Sequence, residues 1–343
     1  MMRLLRVELG RLLSRRLFRA VLIVGLLGVL AVDGLIAANS SNNIAAAKVQ
    51  ADAQLQQQYQ QCVDSISTTP GGGPTQQDCD GMMPAAQLTS CLAAVAQNNV
   101  NGPTAEECRS NAGSNPYFVD PRFHFAAHAK DLLTASAFLL MAAGLLLAAS
   151  FVGAEWQSGT FASLLTWEPR RQRVLAAKLL TPVMAIAITG AVLMAILEAG
   201  AALAAGTRGT LDLTTTHLMG QVAMMAARVL GLVALVTLIG GAIAAFTRHT
   251  VAVVGVVAGY LIAGEIVGGI ASRWWRNHGL ASQLLAFIQG RFVYYVQPPR
   301  GVDPSTWRGE RYLHAGWASV IIVAVALTLV GVASAALSRR DVA

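Results

Sequence analysis

The stretch LLTASAFLLMAAGLLLAASFVG, residues 132–153, runs for 22 residues without a charge. A helix of that length rises about 33 Å, enough to cross the hydrocarbon core of a bilayer. Five more apolar runs read the same way, and the predicted spans are 17–38, 131–153, 179–206, 217–246, 251–271 and 315–337. Of the 343 residues, 55% are hydrophobic and 13% are charged, and the mean hydropathy is +0.53. That charged share is about half of what a soluble domain carries. The predicted class is an all-α polytopic membrane protein of about six transmembrane helices.

A net charge of +7 and a pI near 9.6 also fit nucleic-acid binding. Lys and Arg fall beside the apolar runs, however, and that placement indicates membrane topology and no nucleic-acid partner. Arg3, Arg6, Arg11, Arg15, Arg16 and Arg19 interleave with Leu4, Leu5, Leu9, Leu12 and Leu13, so residues 1–16 read as an amphipathic helix on the cytoplasmic membrane surface. A signal peptide ending near Ala37 and Ala38 is the rival reading, but the basic region and the apolar run are both too long for it. With both termini cytoplasmic, in a bacterial plasma membrane, the inner segments 1–16, 154–178, 247–250 and 338–343 and their flanks hold 13 basic residues in about 50. The far longer outer segments hold 11, so the positive-inside rule is met by density. One outer segment objects. Residues 272–314 carry six arginines against Asp303 and Glu310. Its apolar part, 280–296, is interrupted by Gln283, Gln289 and Arg291 and reads as a re-entrant or interfacial helix, with Trp274, Trp275, Trp307 and Trp317 at headgroup level. An ordinary amphipathic loop is the alternative.

The segment 39–130 is polar and contains every cysteine: Cys62, Cys79, Cys91 and Cys108. An even count confined to one outer segment predicts disulfides and an oxidising compartment. Two Cys-x16-Cys units repeat, one running from Cys62 through Gly73-Pro74-Thr75 to Asp78-Cys79, the other from Cys91 through Gly102-Pro103-Thr104 to Glu107-Cys108. In each, Thr and the acid three residues later form a capping box, so a helix starts there. Pairing Cys62 with Cys79 and Cys91 with Cys108 would clamp a helical hairpin, each bridge contributing about 3 kcal/mol. Two other connectivities stay open. Zinc is disfavoured by the long spacings.

Between the second and third spans the chain reads Glu155-Trp156-Gln157-Ser158-Gly159-Thr160-Phe161-Ala162-Ser163-Leu164-Leu165, then Pro169-Arg170-Arg171-Gln172-Arg173 and Lys178. Gly159-Thr160 breaks the preceding helix, residues 161–167 form a short apolar turn, Pro169 stops it, and the basic residues meet an anionic leaflet or an acidic partner. In order and spacing this segment resembles the coupling loop of ABC-2 type transporter permeases, the transmembrane subunits of type V exporter-like ABC transporters. Those proteins carry a Glu, a Gly-Thr pair, a Leu-Leu step, a Pro followed by Arg, and a Lys at similar intervals. The wider likeness covers most of the chain, and the departure is the long cysteine-bearing segment 39–130.

What the resemblance implies is a coupling loop, 154–178, whose Glu155, Trp156, Gly159, Thr160, Phe161, Leu164, Leu165, Pro169, Arg170, Arg173 and Lys178 receive a cytoplasmic ABC ATPase subunit. A second permease subunit, in a homo- or heterodimer, completes the assembly within membrane lipids. The chain has no Gly-x-x-x-x-Gly-Lys-Ser/Thr loop, so ATP and Mg belong to the partner subunit. No residue is assigned to catalysis, and no cofactor or metal to this chain. The main alternative is a polytopic scaffold or receptor whose disulfide ectodomain binds an external ligand.

Glu198, Arg228 and Glu265 fall within apolar runs, where a charge costs at least about 2.5 kcal/mol unless it pairs or faces water. An ion pair between Arg228 and one of the acids is the first expectation, ahead of a substrate or gating role. His124, His128 and Asp131 share a helix face, and an interfacial helix start capped by Asp120 and Pro121 is the preferred reading over metal binding.

Overall fold

The computed structural model describes residues 2–68, 75–80, 115, 118, 120–160, 170–211, 214–297 and 309–339. Cys91, Cys108, Phe161, Leu164, Leu165, Pro169 and Trp307 lie outside the described residues, and with them the second cysteine unit and the apolar turn of the loop.

Two units emerge. The larger comprises Met1–Leu35, Phe125–Leu203 and Leu211–Ala343. Its helices are α1 (Met2–Ser14), most of α2 (Arg16–Asn39), α5 (Phe125–Gln157), α6 (Arg171–Arg208), α7 (Thr216–Thr247) and α8 (Thr250–Tyr260). A π-helical segment (Leu261–Val267) and α9 (Gly268–Ala271) continue α8 as one span. Short helices α10 (Arg273–His278) and α11 (Leu280–Gln289), strands β1 (Arg291–Tyr295) and β2 (Glu310–His314), and α12 (Ala315–Arg339) complete the unit. Six helices are long and apolar enough to cross a membrane, and they coincide with the six predicted spans. Two of them overrun the predicted ends. The second span lies in a helix of 33 residues and the third in one of 38, because Ala, Leu and Arg in the flanks are good helix formers that need no lipid to stay helical.

The core of this unit is built on α5, α6 and α7. Leu133, Ala137, Leu140, Met141, Leu147 and Ala148 bury one face of α5, and Val222, Met225, Val229, Leu232 and Val233 bury the facing stripe of α7. Small residues set the approach. A Cβ on Gly144 would collide with the Thr237 hydroxyl, and one on Gly240 would stand 3.0 Å from the carbonyl oxygen of Leu145. Such contacts replace the hydrophobic drive that lipid removes between membrane helices.

The chain is not all-helical. After α11 it turns at Gly290, whose φ of 89° is reached cheaply only by glycine. It then forms an antiparallel hairpin with Arg291 opposite His314 and Tyr295 opposite Glu310. The expected helix of 280–296 therefore ends at Gln289. Residues 291–295 read Arg-Phe-Val-Tyr-Tyr, a β-branched and aromatic run with alternating exposure, and Phe292 packs with Phe287 on Ala286, Leu313 and Ala318.

The smaller unit comprises Ile36–His124 and Ala204–Thr210. Its long helix α3 (Ile44–Thr68) is joined to α4 (Gln76–Asp80) by the Cys62–Cys79 disulfide, as the spacing predicted. The capping box forms as read: Thr75 N–H donates to Asp78 Oδ2 at 2.8 Å, and Asp78 N–H donates to Thr75 Oγ1 at 3.3 Å. The Thr75 N–H and the Thr75 hydroxyl, which donates to the same oxygen at 2.7 Å, hold the exposed Asp78 carboxyl below its usual range.

Candidate functional site

The helix α5 ends at Gln157 because Gly159 takes a left-handed φ of 71°, so the Gly-Thr pair does break the helix. That break leaves Glu155 on the last turn, and α6 begins again at Arg171 and carries Lys178 two turns in. Both were expected on a docking surface. The structure instead buries them: Lys178 is 0% exposed and Glu155 5%.

The third member is Glu8, 1% exposed on α1. It stands one turn before the buried Leu12, so the inward stripe of this amphipathic helix carries an acid. Lys178 Nζ donates to both oxygens of Glu8 at 3.3 Å and to Glu155 Oε2. Arg15, at the break between α1 and α2, donates from Nη2 to Glu155 Oε1 at 2.9 Å and from Nη1 to the Ser150 carbonyl at 3.3 Å. Arg11 reaches Glu8 at 3.5 Å from the rim. The Phe151 ring lies 4.7 Å from the Arg15 guanidinium and 5.6 Å from the Lys178 ammonium, within cation–π range of both. Two carboxylates thus face two inner cations, and desolvation is offset by matched charge and several charge-assisted bonds.

The cluster fastens the two stems of the loop to each other and to α1. Neighbouring residues extend the connection. Arg248, in a left-handed turn between α7 and α8, places its guanidinium 4.5 Å from the Trp156 ring. Thr250 beside it donates to the Ala149 carbonyl at 3.4 Å. At the other stem, Arg171 donates to the Leu337 carbonyl at 3.5 Å and Gln172 to the Ser334 carbonyl at 3.3 Å, both on the last turns of α12. Pro182 lies in α6 one turn past Lys178 and, having no N–H, cannot bond the Lys178 carbonyl. A weak point in the ladder therefore sits directly above the cluster. Arg170 and Arg173 are exposed, as is Thr160, whose hydroxyl donates to the Glu155 carbonyl at 3.3 Å. The described stems of the loop thus contact α1, the turn after α7, and α12.

The three intramembrane charges do not pair as expected. Among the described residues no carboxylate lies within ion-pair distance of Arg228. Its Nη1 instead lies 2.6 Å from where a Cβ on Gly290 would stand, at the C-terminal end of α11. Glu265 sits at the opposite end of the same helix. Its Oε1 accepts from the Ala281 N–H at 3.1 Å and from the Tyr260 hydroxyl at 2.9 Å, and that hydroxyl accepts from the Leu280 N–H at 3.3 Å. An anion at the N-terminus and a cation at the C-terminus complement the dipole of α11 and its orphan end groups. Glu265 thus caps the N-terminal end of α11 directly, and Arg228 lies beside its C-terminal end. The π-helical segment of the fifth span is what presents Glu265.

Glu198 has a different neighbour, one that the sequence reading passed over as part of an uninterrupted apolar run. Asp33 of α2 packs its carboxylate onto Gly200, where a Cβ would collide with it, two residues along α6 from Glu198. Both Glu198 oxygens and Asp33 Oδ1 are buried without a hydrogen-bond partner among the described residues.

In the smaller unit, Asp120 is held well below the usual carboxylate range by the Arg122 guanidinium, which donates at 2.7 Å and 3.0 Å, and His124 stands 3.1 Å from it. Among the described residues no group of three His, Cys, Asp or Glu side chains is placed to hold a metal ion. No known family model, curated protein or solved structure matches the chain.

Proposed function

We propose that this chain is the membrane-spanning permease subunit of an ABC-2 type transporter, an exporter driven by a separate ATPase subunit that docks on the 155–178 loop. One observation supports the reading above the others. The loop that carries the resemblance is tied at both stems, through Glu155 and Lys178, to a buried charge cluster that includes Glu8. A topogenic basic loop needs arginines at a membrane surface. It does not need a lysine with no exposed surface between two acids. A rigid linkage of this kind is what carries a rigid-body movement of a docked motor into the spans.

In the proposed assembly ATP and Mg are handled by the partner, and the exposed Arg170 and Arg173 meet it. A second permease subunit would pack on the spans that bury least within the chain, α2 and Thr250–Ala271, with lipid covering the rest. The termini are cytoplasmic in this reading and the membrane is a bacterial plasma membrane.

Copurification tests it. Full-length protein extracted in mild detergent should bring down a subunit with a phosphate-cradling loop and ATP hydrolysis of its own. Arg170→Glu with Arg173→Glu should release that subunit while leaving the permease folded. If no ATPase subunit is retained by the native protein, the scaffold or receptor reading takes its place.

A further inference from the structure

The hairpin and α10 carry a group of side chains that the coupling reading leaves unused. Trp274, 63% exposed, stacks on His278 with ring centroids 5.1 Å apart and planes 9° from parallel. His278 in turn meets the edge of Tyr294 on β1 at 5.1 Å, with the Tyr294 hydroxyl 3.3 Å from its Nε2. Tyr294 faces Arg311 across the hairpin. Four rigid, neighbouring positions thus alternate aromatic and basic character, and the exposed Arg273 and Arg276 flank Trp274 on α10. On the outward face of the hairpin, the Arg291 guanidinium lies 5.7 Å from the Tyr312 ring, and Val293 and Tyr295 are exposed beside it.

The charge balance is one-sided. Among the described residues of 272–297 and 309–314, four arginines stand against Glu310 alone, and Glu310 is engaged by the Tyr312 hydroxyl at 3.0 Å. These residues immediately follow one span and precede another. Arginines beside a span are attracted to anionic headgroups, and exposed Trp and Tyr settle at the glycerol and carbonyl level.

We propose that α10 and the hairpin form a binding surface for anionic phospholipid, with Arg273, Arg276 and Arg311 on the headgroup phosphates and Trp274 in the interface beneath them. The positive charge on this side of the bundle, which contradicts simple topological expectation, is then balanced by lipid. The inference rests on the six membrane spans and not on the ATPase partnership, so either can fail alone.

The test uses the full chain in nanodiscs of phosphatidylcholine containing a minority of phosphatidylglycerol, with bromine on the acyl chains of one lipid or the other. Emission from Trp274 is isolated by subtracting that of W274F. Brominated phosphatidylglycerol should quench Trp274 well beyond its share of the bilayer. Each arginine removed should lower the relative association by about fivefold, so R273Q/R276Q should bring it close to the bulk share. Added inorganic phosphate at constant ionic strength should not displace the lipid. Raising salt from 0.1 to 1 M, which shortens the screening length from about 10 Å to about 3 Å, should weaken the preference in the unaltered protein, and this arm serves if the variant does not fold. Quenching of Trp274 equal for the two brominated lipids, a preference insensitive to salt, or displacement by free phosphate would each overturn the proposal.

Discussion

Replacing Lys178 with Met removes a charge from the centre of a buried cluster while keeping the length of the side chain. Lys178 has no exposed surface, and its loss leaves two carboxylates in unequal positions. Glu155 keeps Arg15 at 2.9 Å. Among the described residues Glu8 keeps only Arg11, at 3.5 Å and half exposed, so it becomes a buried anion with weak compensation. Breaking a buried pair from one side costs about 3–5 kcal/mol, and the upper half of that range is expected here because two acids lose the same partner. Arg15→Gln removes a partly exposed cation from an acid that retains Lys178 and should cost about 1–2 kcal/mol. Unfolding of purified protein by sodium dodecyl sulfate, followed by helicity, measures both. The decisive comparison is the double variant E8Q/K178M, which removes the stranded anion together with its partner and should recover about half or more of the K178M loss. A K178M protein as stable as the native one, or an E8Q/K178M protein no better than K178M alone, would refute the electrostatic account of the cluster.

Asp33→Asn and Glu198→Gln should show the opposite sign, because these carboxylates have no cationic partner among the described residues: stability in the same assay should hold or rise. Arg228→Gln should loosen α11 specifically, raising amide exchange in Leu280–Gln289 by up to about 30-fold for a loss of about 2 kcal/mol at the helix end, with Glu265→Gln acting at the other end. Cys62→Ser with Cys79→Ser should cost the smaller unit about 3 kcal/mol, read as faster proteolysis within α3 and α4. Asp120 has a depressed carboxyl pKa, so its contribution is fully present above the unfolded value of about 3.9 and disappears only as pH falls further toward the folded value. Its carboxyl carbon shift should therefore still report the ionised form at pH 3 in the native protein and lose that behaviour in Arg122→Gln.

The six spans among the described residues are legible as apolar runs, because a run of some twenty apolar residues suits a bilayer and the composition of each run is local information. The same holds for the capping box at Thr75 and the pairing of Cys62 with Cys79, where seventeen residues separate the partners. Glu8 could have been noticed as the lone acid before Asp33 in a helix full of arginines, one turn from Leu12. Asp33 itself was hidden by the apolar residues on either side. The hairpin had a signal in Arg-Phe-Val-Tyr-Tyr, but its apolar content also suited the helix that was expected.

Local composition therefore dictates the solvent of each segment: which segments suit lipid, which polar stretch holds the cysteines, and where helices break. The partners of the charges depend on the packing of distant helices. Lys178 and Glu8 are separated by 170 residues, Glu265 accepts from the end of a helix, and Arg228 lies beside the other end of that helix with no carboxylate in ion-pair distance among the described residues. Such partnerships follow from how helices cross, and no local pattern encodes them, since a buried charge costs the same in sequence whether its counterpart is a side chain, a helix terminus or absent.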